Sequence, residues 1–298
     1  MQNLSGRTVF VTGAAQGIGY ATAQAFSRAG AKVALADVDE ERLAEAAGAL
    51  AETADARVST HLLDVRDRPG YARVIDAVEE RFGPVEVLIN NAGIGTVASV
   101  GELTFEEWDR AVGINLGGVI NGVQTVLPRM LARGGPGHIV NTASGAGLIA
   151  STNLTYATSK FGIVGLSESL RQQPELVQNG IGVTVVCPGF VATDVIGNSA
   201  RLEGRQDDPR VAVGDALLQE RGVDPAQVGE QVLAAVRGQE LYVLTDRYIE
   251  PVLQERMDLI VEAMPAETAR DREIAPDLRN RLATLTPALV GADRPTAR

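Results

Sequence analysis

The chain has 298 residues, of which 45% are hydrophobic and 22% charged, with one cysteine and a net charge of -11. A single cysteine excludes an internal disulfide and a cysteine-built zinc site, and no apolar stretch approaches the length of a membrane-spanning helix. The acidic balance argues against nucleic acid and anionic membranes as partners, and the start lacks the pattern of a signal peptide, so we expect a cytoplasmic protein.

Short apolar segments rich in β-branched residues recur along the chain and predict strands. They cover residues 8–11, 32–36, 58–63, 85–89, 138–141, 183–186 and 241–244. Near-continuous apolar segments are typical of strands covered on both faces, and the helical patterns between them indicate right-handed crossovers. We therefore expect an α/β fold, a single-domain, Rossmann-type, doubly wound parallel sheet of about seven strands flanked by helices. Residues 1–250 would form this dinucleotide-binding and catalytic domain, and residues 251–298 a helical extension with a frayed tail.

The first predicted strand runs into a glycine-rich turn that precedes a helix. The turn contains Gly13, Gln16, Gly17, Ile18 and Gly19. Glycines let the backbone approach a pyrophosphate, and the helix N-terminus offers free N–H groups, although a simple tight turn is the alternative. Asp37 ends the second strand, where a carboxylate would meet an adenosine ribose. The alternative is that Asp37 caps the next helix, although Asp39 is at least as well placed for that role. Polar residues also end the third and fourth strands, so the pattern predicts a dinucleotide site.

Tyr156 and Lys160 stand four residues apart at the start of a predicted helix, so both side chains project from one face. A free phenol has a pKa of about 10, and we expect the nearby ammonium to lower it. Such a tyrosine can exchange a proton with an alcohol or carbonyl oxygen while hydride moves to or from nicotinamide. Ser144 follows the fifth strand and could hold the substrate oxygen, with an ordinary loop serine as the alternative.

Together these motifs resemble those of the short-chain dehydrogenase/reductase family, over about residues 5–246. The resemblance rests on the glycine turn, Asp64, Asn90-Asn91-Ala92-Gly93, Asn115, Ser144, Tyr156-x-x-x-Lys160 and Pro188-Gly189. It implies that Tyr156 is the general acid/base, that Lys160 is its electrostatic partner, and that Ser144 orients the substrate oxygen. It also implies that Asn115 holds a proton-relay water in a helix kink; the alternative is a buried, satisfied amide.

The resemblance also implies the cofactor contacts. Besides the glycine turn, Asp37, Tyr156 and Lys160, the implied contacts are Asp64, Val65, Asn90, Ala92 and Gly93 on the adenosine side and Pro188, Gly189, Val191 and Thr193 on the nicotinamide side. NAD is the expected cofactor because Asp37 would repel a 2′-phosphate. Enzymes of this family that use NADP usually carry Arg or Lys where this chain has Gln16 and Val38.

The expected substrate is a secondary alcohol or ketone with a bulky apolar or aryl group. The set expected around Ser144 and Tyr156 contains no cation: Ile94, Leu148, Phe190, Val191, Val195 and Ile196. Residues 195–223 match the family's mobile lid, and the part from residue 241 to 264 is similar to that of bacterial dehydrogenases acting on benzylic alcohols of aryl ethers. A helix beginning near Pro251 should bury one apolar face against the lid, the core or another subunit, namely Leu253, Met257, Ile260, Val261 and Met264. A homodimer or homotetramer is implied by the resemblance alone.

Other interpretations stay open from the sequence. A non-catalytic NAD(H)-binding regulator shares the sheet and glycine turn, but has no need for Ser144, Tyr156 and Lys160 together. Sugar-nucleotide epimerases share the Tyr-Lys pair with a different glycine spacing. His61 and His138 have no second histidine or carboxylate at the spacing of metal ligands, so no metal site is expected. Cys187 is interpreted as a core residue. Pro174 should interrupt a helix.

Overall fold

The apolar segments form one parallel sheet in a computed structural model that describes residues 1–52, 57–96 and 98–285. Its seven strands lie in the order β3-β2-β1-β4-β5-β6-β7. They are β1 (Thr8–Thr12), β2 (Lys32–Asp37), β3 (Arg57–Leu62), β4 (Val85–Asn90), β5 (Gly137–Thr142), β6 (Ile181–Cys187) and β7 (Tyr242–Leu244). The predicted α/β doubly wound fold is confirmed.

Helices join the strands and cover both faces of the sheet. They are α1 (Gly17–Arg28), α2 (Glu40–Ala51), α3 (Arg68–Phe82), α4 (Phe105–Val112), α5 (Gly118–Arg133), α6 (Leu154–Arg171), α7 (Pro174–Gln178), α8 (Val195–Glu203), α9 (Pro209–Arg221), α10 (Pro225–Gly238), α11 (Glu250–Glu262) and α12 (Ala269–Leu285). Val9 and Val11 pack into one hydrophobic cluster and Phe10 into the other. Because side chains alternate along a strand, the two clusters lie on opposite faces.

The strand order places a crevice beside β1. β1 pairs with β2 on one side and with β4 on the other, so the direction of winding reverses there. In open parallel sheets ligands bind outside the carboxyl ends of the strands at such a reversal. The glycine turn after β1, Asp37 after β2 and residues 90–93 after β4 therefore meet at one edge.

Pro174 interrupts the long helix as predicted. α6 ends at Arg171, and α7 begins at Pro174, which occupies its first turn. Proline fits there because the first N–H groups of a helix have no intrahelical acceptor.

The helix predicted after Pro251 forms as α11, but its apolar face is not buried within this chain. Met257, Ile260, Val261 and Met264 are between 43% and 62% exposed. These four residues therefore do not pack against the lid or the core of the same chain, whereas Leu253 is partly buried, and burial against another subunit, the third alternative, stays a prediction. The predicted frayed tail, 291–298, lies outside the described residues. Within the part of the chain that is described, no helix combines the length and apolar character needed to cross a membrane.

Candidate active site

The glycine turn is packed too closely for side chains. A Cβ on Gly13 would lie 2.7 Å from Cα of Ala92, and one on Gly19 would lie 2.0 Å from the Gly13 carbonyl oxygen. Gly13 and Gly17 both have positive φ, 64° and 56°. Gln16 precedes α1 without a side-chain cap, so the first N–H groups of α1 keep their capacity for a phosphate. These features fit the pyrophosphate of a dinucleotide.

Asp37 and Asp39 divide the two roles that the sequence left open. Asp39 caps α2 by accepting the N–H of Arg42 at 3.1 Å. The Asp37 carboxylate accepts N–H groups from Ala15 at 3.1 Å and from Val38 at 2.8 Å. It is therefore held against the glycine turn, at the place where an adenosine ribose would lie.

Thr12 docks the loop after β4 onto the glycine turn. Its hydroxyl accepts the N–H groups of Asn91 at 3.0 Å and Ala92 at 3.1 Å. Asn91 donates back to the carbonyl oxygens of Thr12 and Gly13. Asn91 and Thr12 therefore hold the two loops together, a role that the sequence analysis missed although Asn91 belongs to a motif of the resemblance and Thr12 directly precedes the glycine turn.

The side chain of Asn90 does not line the cleft. It is 2% exposed, donates to the Asn141 side chain at 2.9 Å and accepts from the Tyr71 hydroxyl at 3.2 Å. The prediction that it contacts the adenosine half is therefore not supported, because this amide belongs to a buried network beneath the site. Ala92 and Gly93 lie nearer the edge, where Gly93 is exposed.

Asp64 and Val65 follow β3 as predicted. Arg66 binds both carboxylate oxygens of Asp64, at 2.7 to 3.1 Å, and this hydrogen bonding lowers the pKa of Asp64. Val65 is buried, and its carbonyl oxygen accepts from Asn121 at 2.8 Å. Asp64 is thus an ionised, arginine-bound acceptor at the predicted adenine side.

Asn115 lies in a π-helical turn, Gly113–Gly117, that joins α4 to α5. Its oxygen accepts the Ile94 N–H at 2.8 Å, and its nitrogen donates to the Ile94 carbonyl at 3.0 Å and to Ser159 Oγ at 3.2 Å. A π-helical turn occupies the position of the predicted kink, but the protein satisfies the amide, which favours the alternative of a buried structural residue. A relay water at Asn115 stays a prediction.

Ser144, Tyr156 and Lys160 come together at the carboxyl end of β5. The Ser144 hydroxyl accepts the Ala146 N–H at 3.1 Å and lies near enough to the Tyr156 hydroxyl to lower the pKa of Tyr156. The Lys160 ammonium lies 5.4 Å from the centre of the Tyr156 ring and donates to the Thr142 carbonyl at 3.0 Å. The arrangement brings two hydroxyls and one cation to one wall of the crevice.

Burial sets the proton affinities of this group. It raises the pKa of Tyr156 above its usual value, and the neighbouring Ser144 hydroxyl acts in the opposite direction. Burial also lowers the pKa of Lys160 to about 8. The expectation that Lys160 lowers the pKa of Tyr156 is not met, because the ammonium faces the ring and the Thr142 carbonyl while desolvation of the phenol dominates. At neutral pH the tyrosine is therefore a phenol that can donate a proton.

Residues after β6 border the glycine turn and the catalytic group. Gly145 donates to the carbonyl oxygen of Pro188 at 2.7 Å. A Cβ on Gly17 would lie 3.2 Å from Cγ2 of Thr193, whose segment leads into α8. A Cβ on Gly189 would lie 2.1 Å from Oδ2 of Asp246, so a larger residue there would displace that carboxylate. The predicted nicotinamide segment thus reaches both halves of the crevice.

The predicted lid contains α8 and α9, and two of its arginines, Arg205 and Arg210, are paired with carboxylates. Arg205 contacts Glu107 at 2.6 Å, and Arg210 contacts Glu102 at 3.0 Å and Asp208 at 2.6 Å. Their charge is therefore neutralised on the side of the lid that faces the start of α4.

The predicted apolar wall is only partly realised. Val191 is 4% exposed and packs into the core cluster that contains β1, which removes its side chain from this wall. Phe190 stacks instead on Tyr248, with ring centres 5.1 Å apart.

Two polar residues near the site carried no sequence signal that we used. Arg42 of α2 donates to the side chains of Gln16 and, at 3.3 Å, of Asn198 in α8, and so bridges the glycine turn and the lid. Asn153 caps α6 by accepting the Tyr156 N–H at 3.3 Å. Asn before a helical pattern is a capping signal, so the second residue could have been found.

The comparisons with known proteins agree with this architecture. The model of the short chain dehydrogenase family matches residues 7–203. The C alpha-dehydrogenase of Sphingobium sp. (strain NBRC 103272 / SYK-6) is 31% identical over 275 residues, 89% of this chain and 88% of that protein.

Two solved structures extend the likeness. A short chain dehydrogenase/reductase from Burkholderia phymatum, in complex with NAD, has a TM-score of 0.82 and 29% identity, covering 90% of this chain and 99% of that chain. The apo form of LigO from Sphingobium sp. strain SYK-6 has a TM-score of 0.74 and 32% identity, covering 99% and 100%. The chain belongs to the short-chain dehydrogenase/reductase family and is an oxidoreductase.

Proposed function

We propose that the chain interconverts a secondary alcohol and a ketone that carry a hydrophobic or aryl group, with NAD as cofactor. The observation that carries this proposal is the grouping of the Ser144 and Tyr156 hydroxyls with the Lys160 ammonium, 5.4 Å from the centre of the Tyr156 ring, at the edge that holds the glycine turn. When bound, the nicotinamide would accept or supply the hydride.

In this proposal Tyr156 donates its phenolic proton to the carbonyl oxygen during reduction and accepts the alcohol proton during oxidation. Ser144 holds the same oxygen and stabilises the negative charge that develops on it. Lys160 supplies positive charge beside the Tyr156 ring and binds the nicotinamide ribose. Asn115 helps to position Tyr156 through Ser159. The Ser159 hydroxyl accepts from the Asn115 amide and donates to the backbone carbonyl oxygen of Tyr156 at 2.7 Å.

The preference for NAD rests on Asp37. Its carboxylate is fixed by backbone N–H groups beside the glycine turn, where it would accept ribose hydroxyls and repel a 2′-phosphate. Arg42 lies near the same place, but its guanidinium is 3.6 Å from the Asp39 carboxylate, which neutralises much of its attraction for a phosphate.

The substrate class rests on the remaining apolar residues of the predicted wall and on the pairing of Arg205 and Arg210 with carboxylates. Each methylene buried there contributes about 0.8 kcal/mol, whereas a carboxylate without a partner costs several kcal/mol. The relative named C alpha-dehydrogenase supports an alcohol as substrate. The apolar face of α11, exposed in one chain, supports assembly into a homodimer or homotetramer.

The test compares Tyr156→Phe with wild type on aliphatic, aryl and carboxylated secondary alcohols with NAD. We expect wild type to prefer the apolar and aryl members by kcat/KM, and the variant to lose at least about 10²-fold in turnover while it binds NADH normally. Tyr242→Phe is the matched control, because it removes the same atom from a tyrosine whose hydroxyl bonds Glu168 instead. Near-normal turnover by Tyr156→Phe, or preference for the carboxylated alcohol, would contradict the proposal.

A further inference from the structure

We propose that Tyr248, supported by Phe190, is the residue that selects an aromatic ring on the substrate. This inference rests on the proposed function and adds a specificity residue from the chain segment after β7. The two rings are parallel within 2°, with centres 5.1 Å apart.

The ring of Tyr248 lies against the segment after β6 and near the loop after β5. Cε1 of Tyr248 lies 2.6 Å from the position that a Cβ on Gly189 would take, so a larger residue at this position would displace the ring. The hydroxyl lies 3.8 Å from the corresponding position on Gly145, the residue after Ser144. Burial raises the pKa of Tyr248, with smaller contributions from Asp246 and Tyr156. The ring therefore lies near the residue that follows Ser144, at the sheet edge that carries the proposed catalytic group.

The segment that carries Tyr248 is anchored on both sides of it. Thr245 Oγ1 accepts the Gly189 N–H at 2.9 Å and donates to Asp246 at 2.9 Å. Ile249, the next residue after Tyr248, is 3% exposed. The ring is thus presented by a fixed backbone rather than by a free loop.

Tyr248 is nevertheless available to a ligand. The residue is 50% exposed although one face of its ring is stacked on Phe190. Its hydroxyl has no hydrogen-bond partner among the residues that the structure describes. A third ring can continue the stack, and aromatic pairs gain energy beyond the apolar area that they bury. A saturated ring of the same size gains the burial but not this additional attraction.

The experiment compares 1-phenylethanol with 1-cyclohexylethanol as substrates with NAD. Wild type should favour the phenyl compound, and Tyr248→Leu should lower the phenyl-to-cyclohexyl ratio of kcat/KM by roughly three- to tenfold. Tyr248→Phe keeps the ring and should keep the ratio. Tyr242→Leu, the same change at a partly exposed tyrosine of β7, is the matched control and should also keep it.

A second measurement separates this proposal from the proposed function. In a Tyr156→Phe background, the dissociation constants of acetophenone and cyclohexyl methyl ketone can be measured by calorimetry with NADH present. If wild type oxidises neither alcohol, the proposed function fails. The aromatic contact is still supported if adding Tyr248→Leu weakens the binding of acetophenone and leaves that of cyclohexyl methyl ketone unchanged. An unchanged ratio in both assays, or an equal loss for both substrates, would overturn the role of Tyr248 in selection.

Discussion

Replacing Lys160 with methionine tests how much the buried ammonium of Lys160 destabilises the folded protein. The lysine is 3% exposed, and burial lowers its pKa from 10.5 to about 8. That difference corresponds to about 3 kcal/mol in the free energy of unfolding at neutral pH, because the unfolded chain holds the proton more tightly. Wild type should therefore gain this stability as the pH rises from 8 to 10.5, whereas the methionine variant has no group to titrate.

We expect the cofactor-free Lys160→Met variant to be more stable than wild type at pH 7 and to lose about 3 kcal/mol of that difference by pH 10.5. Loss of the hydrogen bond to Thr142 removes about 1 kcal/mol at every pH and does not affect the change between the two. Urea unfolding at both pH values measures the difference. Turnover should be lost at the same time, because the substitution removes the cation beside Tyr156.

The composition of the chain allows a direct check of the same pKa. Its only lysines are Lys32 and Lys160, so ¹³C-labelled lysine gives two ε-carbon resonances, which Lys32→Arg assigns. Lys32→Met is the matched stability control, since Lys32 also donates to one backbone carbonyl, that of Phe82, but is only partly buried. The reasoning is refuted if the Lys160 resonance titrates near its usual pKa of about 10.4, or if the stability difference is the same at both pH values.

Two further predictions concern the reaction. Because the pKa of Tyr156 is raised, the fraction of phenolate that can accept the alcohol proton grows as the pH rises. The kcat/KM for alcohol oxidation should therefore rise from pH 6 to pH 8, whereas the kcat/KM for ketone reduction should not. A flat oxidation profile in stopped-flow or steady-state assays would point to another base. Asp37→Ala combined with Val38→Arg should shift the ratio of kcat/KM from NAD towards NADP, by removing repulsion and adding a phosphate partner, and wild type that already prefers NADP would contradict this interpretation of the ribose site.

The sheet could be predicted because parallel strands buried on both faces leave a simple apolar signal. The observed β6 extends beyond the predicted 183–186 to Ile181 and Cys187, since burial continues to both ends of the strand. The glycine turn was predictable for a related reason: close approach of Gly13 to Ala92 leaves no room for any other residue. Local sequence determined both features.

The two asparagines show where local sequence is insufficient. Asn90 and Asn115 follow strand or helix patterns that place them near the site, and both side chains prove to be buried and hydrogen-bonded by the protein. Whether an amide faces a cleft or an internal partner depends on Asn141 and Ile94, which lie on other elements. The π-helical turn around Asn115 likewise has no distinct apolar period, so the kink came from family resemblance alone.

Substrate selection is the part of the site that depends most on distant elements. Tyr248 reaches Gly145 and Gly189 only because β7 pairs with β6, beside β5, which brings the end of β7 to the same edge as the ends of its neighbours. Gly189 belongs to a family motif and Gly145 follows Ser144, whereas the tyrosine itself belongs to a segment with no such pattern. The reaction class is therefore readable from the motifs, while substrate selection depends on the contacts of the loop that carries Tyr248.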